Sequence, residues 1–151
     1  MTTEGKKNVL DKTIYDNAKN HFLGNFPDSL PIEQAYLHIG MYLGWIIEKE
    51  LYSEFFEDEA DTEIFRFNRR QIGPTILSEI WDGYLGHELF NREGNMFTYY
   101  YYAGGIYKKD YQELLAGDLP SLYHVKDTWE NFDAVKEKVD ARYADWKKLI
   151  S

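Results

Sequence analysis

The sequence predicts a mainly α-helical protein, folded as a single compact domain of about six helices. Residues 132–150 place apolar side chains at spacings of three and four, which is the period of a helix with one buried face. Residues 35–47 are apolar on nearly every face, as in a helix buried at the centre of a domain. The chain of 151 residues fits one domain. We assign that domain to residues 13–151, after a polar tail at 1–12 that we expect to be disordered.

The sequence does not decide whether the first element of the domain is a short helix or a strand-like segment. Residues 13–26 mix apolar side chains with Asn and Asp, a composition that fits either structure. Pro27, Asp28 and Pro31 mark its end, because proline and aspartate are typical of turns.

The clearest helix is predicted over residues 31–51. Ser29 is a candidate N-cap, proline suits the first turn, and Glu33 favours the positive end of the helix dipole. Gly40 and Gly44 are four residues apart and therefore share a face. We expect another element to pack closely against that face.

A second helix is predicted over residues 53–72, acidic in its first half and basic in its second. This order of charges complements the helix dipole. A glycine and a proline then break the chain, and residues 74–81 follow as a short helix with Gly83 just past its end. The apolar anchors of the longer segment are Phe55, Phe56, Ile64, Phe65 and Phe67.

Two shorter helices are predicted next. Residues 89–102 include four consecutive tyrosines, which fit a strand as well as a helix. We favour a helix because residues 93–95 fit the turn before a helix, and two glycines follow where a helix would end. Residues 106–115 form another short helix, which ends before Gly117.

The last helix is predicted over residues 132–149. Asn131 is the expected N-cap, Asp133 suits the first turn, and two lysines suit the C-terminal end. One apolar stripe runs along this helix and predicts a single buried face. The stripe consists of Phe132, Val135, Val139, Tyr143, Trp146 and Ile150.

Composition narrows the classes of function. The net charge of −9 disfavours binding to nucleic acid or anionic membranes and favours a basic partner. The absence of cysteine excludes disulfides and thiolate chemistry. Neither a signal-peptide pattern nor an apolar run long enough to span a bilayer is visible, so we expect a cytoplasmic protein. Aromatic residues make up 17% of the chain, which indicates an aromatic-rich core.

Two segments carry a resemblance to a known family. They are residues 30–41 (LPIEQAYLHIGM) and residues 118–129 (DLPSLYHVKDTW). With them, the chain resembles an uncharacterised bacterial protein family from about residue 15 to about residue 146. The resemblance implies no activity, cofactor or catalytic residue.

The histidines show no metal-binding pattern along the chain. None pairs with another at the spacing of metal ligands, so we expect no metal or cofactor. His38 lies in the apolar helix, where a hydrogen-bonded core histidine is the favoured interpretation. The four are His21, His38, His87 and His124.

His124 is the best candidate for a reactive group. It lies in the polar, aromatic loop at 118–129, and loops on a rigid scaffold often carry binding residues. A contact with Asp118 or Asp127 would raise the pKa of the imidazole and make an acid–base pair. We favour the structural alternative, in which the aspartates cap the loop while Tyr123 and Trp129 anchor it to the core.

An acidic helical face is the sharpest candidate for a binding surface. Its members are Glu54, Glu57, Asp58 and Asp61. A solvated face is the ordinary interpretation of such a pattern. The alternative is an interface, because Phe55 and Phe56 add apolar anchors to the steering charge.

We therefore expect a non-enzymatic protein that binds another protein, most specifically an immunity-type protein that neutralises a basic bacterial toxin domain. The alternatives are an enzyme that uses His124 with Asp118 or Asp127, and a housekeeping interaction protein. No catalytic residue or metal ligand is assigned. The candidate interface residues are Glu54, Phe55, Glu57, Asp58, Asp61, Asp118, Tyr123, His124, Asp127 and Trp129.

Overall fold

The chain is mainly helical, with a small antiparallel sheet of two strands near its N-terminus. A computed structural model describes residues 13–151, so the tail predicted at 1–12 lies outside the described residues. The described elements are β1 (Ile14–Asn17), α1 (Ala18–Phe22), α2 (Leu37–Lys49), α3 (Glu54–Glu59), α4 (Asp61–Asn68), α5 (Pro74–Ile80), β2 (Tyr84–Gly86), α6 (Arg92–Tyr101), α7 (Ile106–Leu115) and α8 (Trp129–Ile150). Short 3-10 helices lie at Ile32–Ala35, His87–Leu89 and Leu122–His124.

Helix α2 lies at the centre of the domain, as its all-round apolar sequence predicts. Every residue from Leu37 to Ile47 is buried. A Cβ atom added at Gly40 would lie 2.0 Å from the carbonyl oxygen of Pro74, and one at Gly44 would lie 2.4 Å from the Phe67 ring. The two glycines therefore do face neighbouring elements. The helix begins at Leu37 and not at residue 31 as predicted, because Ile32–Ala35 form a 3-10 turn before it.

The N-terminal segment forms both a strand and a short helix, the two structures between which the sequence did not decide. Strand β1 pairs with β2, and α1 follows at once. The side chain of Asn17 caps α1 by accepting a hydrogen bond from the backbone of Lys19 at 2.9 Å. Strand β2 was not predicted, because three residues give no detectable alternation.

The predicted helix at 53–72 is two helices in the structure. Ser53 caps the first by accepting a hydrogen bond from the backbone of Phe56 at 3.1 Å. The helical backbone is interrupted at Ala60, where φ is −120° and ψ is 22°. After this bend α4 runs towards α2, and Phe67 packs against Gly44. This split and the short α1 bring the described α-helices to eight.

Two predicted helix starts are corrected. Asn91 caps α6, and Gly94 lies inside that helix where a Cβ atom would be 2.4 Å from the carbonyl oxygen of Leu51. Thr128, rather than Asn131, caps α8, because its hydroxyl accepts a hydrogen bond from the backbone of Asn131 at 3.0 Å. The helix therefore begins at Trp129, within the segment predicted as loop.

The remaining helices enclose α2 in one compact domain with an aromatic-rich core. Helix α7 has the predicted bounds, and the stripe of α8 buries Phe132, Val135, Val139 and Trp146. No helix within residues 13–151 has the length and apolar character needed to cross a bilayer.

Candidate functional site

Asp16, His21 and His38 meet in a histidine–aspartate centre beside α2. Asp16 Oδ1 lies 2.7 Å from His21 Nε2, and Asp16 Oδ2 lies 3.2 Å from His38 Nε2. The two Nε2 atoms are 3.2 Å apart. Three groups that are able to ligate a metal ion therefore converge on one point, although they come from three elements of the fold.

The small sheet places the aspartate. Asp16 lies on β1 opposite Leu85 of β2, next to an irregularity in the strand register. Its Oδ1 atom accepts a hydrogen bond from the backbone of Asn17 at 2.7 Å, which fixes the carboxylate locally. The backbone N–H of Ala18 then donates to the carbonyl of Gly83 at 3.0 Å. The unpredicted strand β2 is thus part of the scaffold of the site.

Two helices supply the imidazoles. His21 lies in the last turn of α1, and His38 lies in the first turn of α2. The hydroxyl of Tyr107 donates to the backbone carbonyl of His38 at 2.6 Å and supports that turn. The Nδ1 atom of His38 is buried and has no hydrogen-bond partner among the described residues. His38 is therefore a buried histidine, as predicted, but its partner is Asp16.

Tyrosine hydroxyls surround the centre. Tyr102 donates a hydrogen bond to Asp16 Oδ2, and the Tyr123 hydroxyl lies 2.5 Å from His21 Nδ1. The side chain of Gln34 donates to the backbone carbonyl of Tyr123 at 2.8 Å and so holds this loop against the centre. The Asp16 carboxylate and the His21 imidazole therefore each have a tyrosine hydroxyl as a further hydrogen-bond partner.

The pKa values favour a charged aspartate and a neutral His38. Burial alone would raise the pKa of Asp16, but hydrogen bonds from His21 and His38 hold it well below its usual range. Burial lowers the pKa of His38, and its hydrogen bond to Asp16 offsets this only in part. Burial also raises the pKa values of Tyr102 and Tyr123, so both phenols keep their protons. Metal ions bind ionised carboxylates and neutral imidazoles, the forms that these pKa shifts favour for Asp16 and His38.

The spacing of the three ligand atoms suits a single metal ion. Nitrogen ligands about 2.0–2.1 Å from one zinc ion lie about 2.9 Å apart at octahedral angles and about 3.4 Å apart at tetrahedral angles. The distances of 2.7, 3.2 and 3.2 Å within the centre fall close to this range. Two imidazoles and one carboxylate are the donor set of many zinc and non-haem iron sites.

A pocket of about 160 Å³ opens directly onto the centre. Gly105 and Lys108 lie at its exposed edge, and Tyr15 and Tyr107 supply aromatic walls. Asp16 is the only carboxylate that lines it among the described residues. The pocket therefore borders all three residues of the centre.

The acid–base pair considered for His124 is not formed. Its Nδ1 atom lies 2.8 Å from the Ser121 hydroxyl, and no hydrogen bond joins it to Asp118 or Asp127 in the described part of the chain. Asp127 accepts a hydrogen bond from the backbone of Thr75 at 3.3 Å, so it contacts the first turn of α5 and not the backbone of its own loop. Asp118 is exposed.

The two aromatic residues of this loop have separate positions. Tyr123 is buried and contributes to the histidine–aspartate centre. Trp129 lies at the start of α8, where its ring packs on Phe67 at 5.5 Å and under the guanidinium of Arg70 at 4.5 Å. Only Tyr123 therefore belongs to the site.

The predicted acidic face is divided between two helices. Glu54, Glu57 and Asp58 are exposed on α3, but Asp61 lies on α4 beyond the bend. Phe55 keeps 48% of its surface exposed, whereas Phe56 is fully buried. The charges and one ring therefore face solvent together.

Sequence reasoning missed the centre because its members have no helical or strand period in common. Asp16 and His21 are five positions apart, and His38 follows 17 positions later. Only the pairing of β1 with β2 and the packing of α1 near α2 bring them together. A search for His and Asp without regard to spacing would have included them among many other combinations.

This arrangement defines a mainly helical domain built around a buried histidine–aspartate centre. The chain belongs to the family described as a domain of unknown function, DUF7832, whose model matches residues 14–125. This confirms the resemblance to an uncharacterised family. The match contains all three residues of the centre. No curated protein and no solved structure matches the chain.

Proposed function

We propose that the protein is a metal-dependent enzyme whose histidine–aspartate centre binds one divalent transition-metal ion. The observation that carries the proposal is the convergence of Asp16, His21 and His38 on one point at spacings that match ligands of a single ion. The sequence led to the opposite expectation, of no metal and no enzymatic activity, because it contains no local ligand motif.

An open coordination position supports a catalytic rather than a structural ion. Structural zinc sites generally use four protein ligands, whereas catalytic sites use three and leave a position for water or substrate. The centre offers three ligands and borders a pocket of about 160 Å³. An ion held there would polarise a bound oxygen atom or lower the pKa of a bound water.

The residues of the chain have distinct parts in this proposal. Asp16 and the two histidines hold the ion, and Tyr102 orients the carboxylate through its hydrogen bond. Tyr123 sets the proton on His21, because an imidazole that ligates through Nε2 carries its proton on Nδ1. Burial lowers the pKa of His38 and so favours the neutral imidazole, whose Nε2 lone pair can bind the ion when the ring proton is on Nδ1.

Titration with Co²⁺ and Zn²⁺ tests the proposal on tag-free protein that has been stripped of metal. We expect one ion per chain, with absorption bands of nitrogen-ligated Co²⁺, and loss of binding in Asp16→Asn and His38→Gln. His124→Gln is the matched control, because His124 contacts Ser121 outside the centre. Folded wild-type protein that binds no ion, or variants that bind as well as wild type, would contradict the proposal.

A second function rests on a different surface. Phe55, Ile76 and Ile80 are each about half exposed, and Phe55 contacts the Trp81 ring at 6.3 Å. Ile76 and Ile80 are one turn apart on α5 and so share a face. An exposed ring such as Phe55 beside a run of acidic residues suits a basic protein partner.

This surface supports the immunity-type function expected from the sequence. A basic toxin domain in the cytoplasm would be attracted by the charges, and the exposed rings would supply apolar contact. The metal-dependent function is preferred because its residues form a defined geometry. The two functions use different surfaces, and each is tested separately.

A further inference from the structure

We propose that a cleft between α6 and the C-terminal turns of α8 binds an amphipathic organic anion, a small molecule with an apolar body and one anionic head group. The cleft has a volume of about 540 Å³, within the range of roughly 300–1,000 Å³ that is usual for small-molecule sites. Among the described residues, none lines both this cleft and the pocket at the histidine–aspartate centre. Binding in the cleft therefore does not depend on a metal ion.

Two helices form the walls of the cleft. Helix α6 contributes one face, with residues at spacings of three and four, and α8 contributes two residues that are one turn apart. The start of α6 and the end of α8 are linked by an ion pair in which Lys147 Nζ lies 3.2 Å from Glu93 Oε2. The wall residues are Arg92, Asn95, Met96 and Tyr99 on α6, and Trp146 and Ile150 on α8.

The apolar side chains of the cleft are largely open to solvent. Met96, Tyr99 and Ile150 keep 47%, 61% and 53% of their surface exposed, and Trp146, which is buried, lines the same cleft. Single exposed apolar residues are normal, but a group of them around one concave surface is typical of a ligand site. An apolar ligand body in the cleft would remove this surface from water, which is favourable.

Arg92 gives the cleft an unpaired positive charge. Its side chain is exposed and forms no ion pair with any residue in the described range 13–151. Arg92 is also the first residue of α6, where the helix dipole disfavours a positive charge. Neither an ion pair nor the helix stabilises an arginine at this position, whereas an anionic ligand would.

The other charged groups near the cleft leave this arginine available. No carboxylate lines the cleft within the described part of the chain. The acidic residues closest to Arg92 in sequence are already engaged, because Glu93 pairs with Lys147 and Glu88 accepts a hydrogen bond from the Tyr84 hydroxyl at 2.7 Å. The net charge of −9 on the whole chain is screened beyond about 8 Å at physiological ionic strength. The local charge therefore favours an anion.

Asn95 fixes the polar side of the cleft. Its amide nitrogen donates to the backbone carbonyls of His87 at 3.0 Å and Phe90 at 3.2 Å, and its Oδ1 atom accepts from the Tyr15 hydroxyl at 2.7 Å. These bonds hold α6 against the 3-10 turn at His87–Leu89, which also borders the cleft. A site that is formed before the ligand arrives loses less conformational entropy on binding.

The size of the cleft favours a small molecule over a protein. A stable protein–protein interface uses roughly 20–30 residues on each side, far more than the residues that line this cleft. A small ligand can place its apolar body against Met96, Tyr99 and Ile150 while its head group reaches Arg92 at the start of the same helix face. A medium-chain carboxylate has this chemistry.

NMR titration of isotope-labelled, full-length protein with octanoate, and separately with its neutral analogue 1-octanol, tests the site. We expect octanoate to shift the signals of Asn95, Tyr99 and Trp146 saturably and to bind more tightly than octanol. Arg92→Gln should weaken octanoate binding about tenfold, as expected for loss of one charge-assisted hydrogen bond, and leave octanol binding unchanged. Arg66→Gln is the matched control, because Arg66 is also exposed but does not line the cleft.

Met96→Gln tests the apolar part of the site. It should weaken octanoate and octanol equally, because this side chain meets the body of the ligand and not its head group. A variant that binds both as tightly as wild type would overturn the proposal, since the apolar body would then lie elsewhere.

Three further outcomes would overturn the proposal. The first is folded protein whose cleft signals do not respond to octanoate. The second is equal binding of octanoate and octanol, or equal effects of the two arginine variants, because the charge of Arg92 would then have no specific part. The third is a set of cleft signals that change with protein concentration and not with octanoate, which would identify a second copy of the chain as the occupant.

Discussion

His21 and His38 lie 17 positions apart in the chain, yet their Nε2 atoms are 3.2 Å apart and both face the carboxylate of Asp16. In the metal-free protein an imidazole that carries a proton on Nε2 can donate it to that carboxylate. Binding of an ion requires the proton of His21 to move to Nδ1, where the oxygen of Tyr123 is the available acceptor. Each imidazole that donates to Asp16 in the metal-free protein must therefore move its proton from Nε2 to Nδ1 before its Nε2 atom can bind the ion.

Tyr123→Phe should weaken zinc binding without changing its stoichiometry. The variant removes the acceptor for the Nδ1 proton of His21, and loss of such an outer partner typically lowers metal affinity about 10- to 100-fold. Competition with a coloured chelator measures the effect.

Tyr15→Phe is the control for that variant. Tyr15 lines the same pocket, but its hydroxyl donates to Asn95 at 2.7 Å and not to a member of the centre. Equal losses of affinity in the two variants would show that Tyr123 has no specific part in orienting His21.

The stability of the metal-free protein should fall as the pH is lowered below about 6.5. Burial lowers the pKa of His38 in the folded state below its ordinary value of 6.5, so the unfolded chain takes up this proton first. The stabilisation is present in full above pH 6.5 and is lost as the pH falls through the folded pKa. Asp16 gives the same sign in a lower window, beginning near its ordinary value of 3.8.

Urea unfolding with a chelator present, at several pH values between 7.5 and 3, measures both windows. His38→Gln should flatten the upper window and also weaken the lower one, because His38 helps to lower the pKa of Asp16, whereas Asp16→Asn should remove its own contribution from the lower one. A wild-type stability that is constant from pH 7.5 to 5 would contradict the lowered pKa of His38.

Gly40→Ala should destabilise the fold by about 1–3 kcal/mol or more, because overpacking a close contact strains the core. The added Cβ atom would lie 2.0 Å from the backbone carbonyl oxygen of Pro74, which cannot turn aside as a side chain can. Gly44→Ala meets the rings of Phe67 and Phe132 instead and should cost less. Gly117→Ala is the control, because its nearest contact would be an ordinary 3.7 Å. Thermal unfolding of the three variants tests this order.

The success of each sequence prediction depended on whether the feature is determined within one segment or by contacts between distant segments. Helix α7 was predicted with its observed bounds, and α2 and α8 were recognised from apolar patterns within single segments. The start of α8 was missed because Thr128 and Asn131 are both suitable caps, and only the hydrogen bonds distinguish them. The centre was missed because it depends on the pairing of Asp16 with Leu85, a contact between distant segments.

Reversing the charges of the acidic face should remove binding to a basic protein partner. Glu54, Glu57 and Asp58 are exposed on α3, and Asp61 lies just beyond the bend on α4. Their combined change to Lys should lower the stability only modestly, because exposed charges contribute weakly to folding, although Glu54, Glu57 and Asp61 lie in first turns where acidic residues are favourable. The rate of association should fall sharply at low salt, where steering by charge is strongest.

A matched control shows whether the fall in association rate depends on where the reversed charges lie or only on how many are reversed. Reversal of four exposed acidic residues elsewhere changes the net charge by the same amount; they are Glu113, Glu130, Glu137 and Asp145. Phe55→Ser is a further test, because this ring is 48% exposed while its neighbour Phe56 is fully buried and must be kept. A partner is first identified by cross-linking to wild-type protein in its native host. Its rate of association with each variant is then measured. Equal rates for the two reversed variants would show that the acidic face is only solvated, and that any partner binds elsewhere.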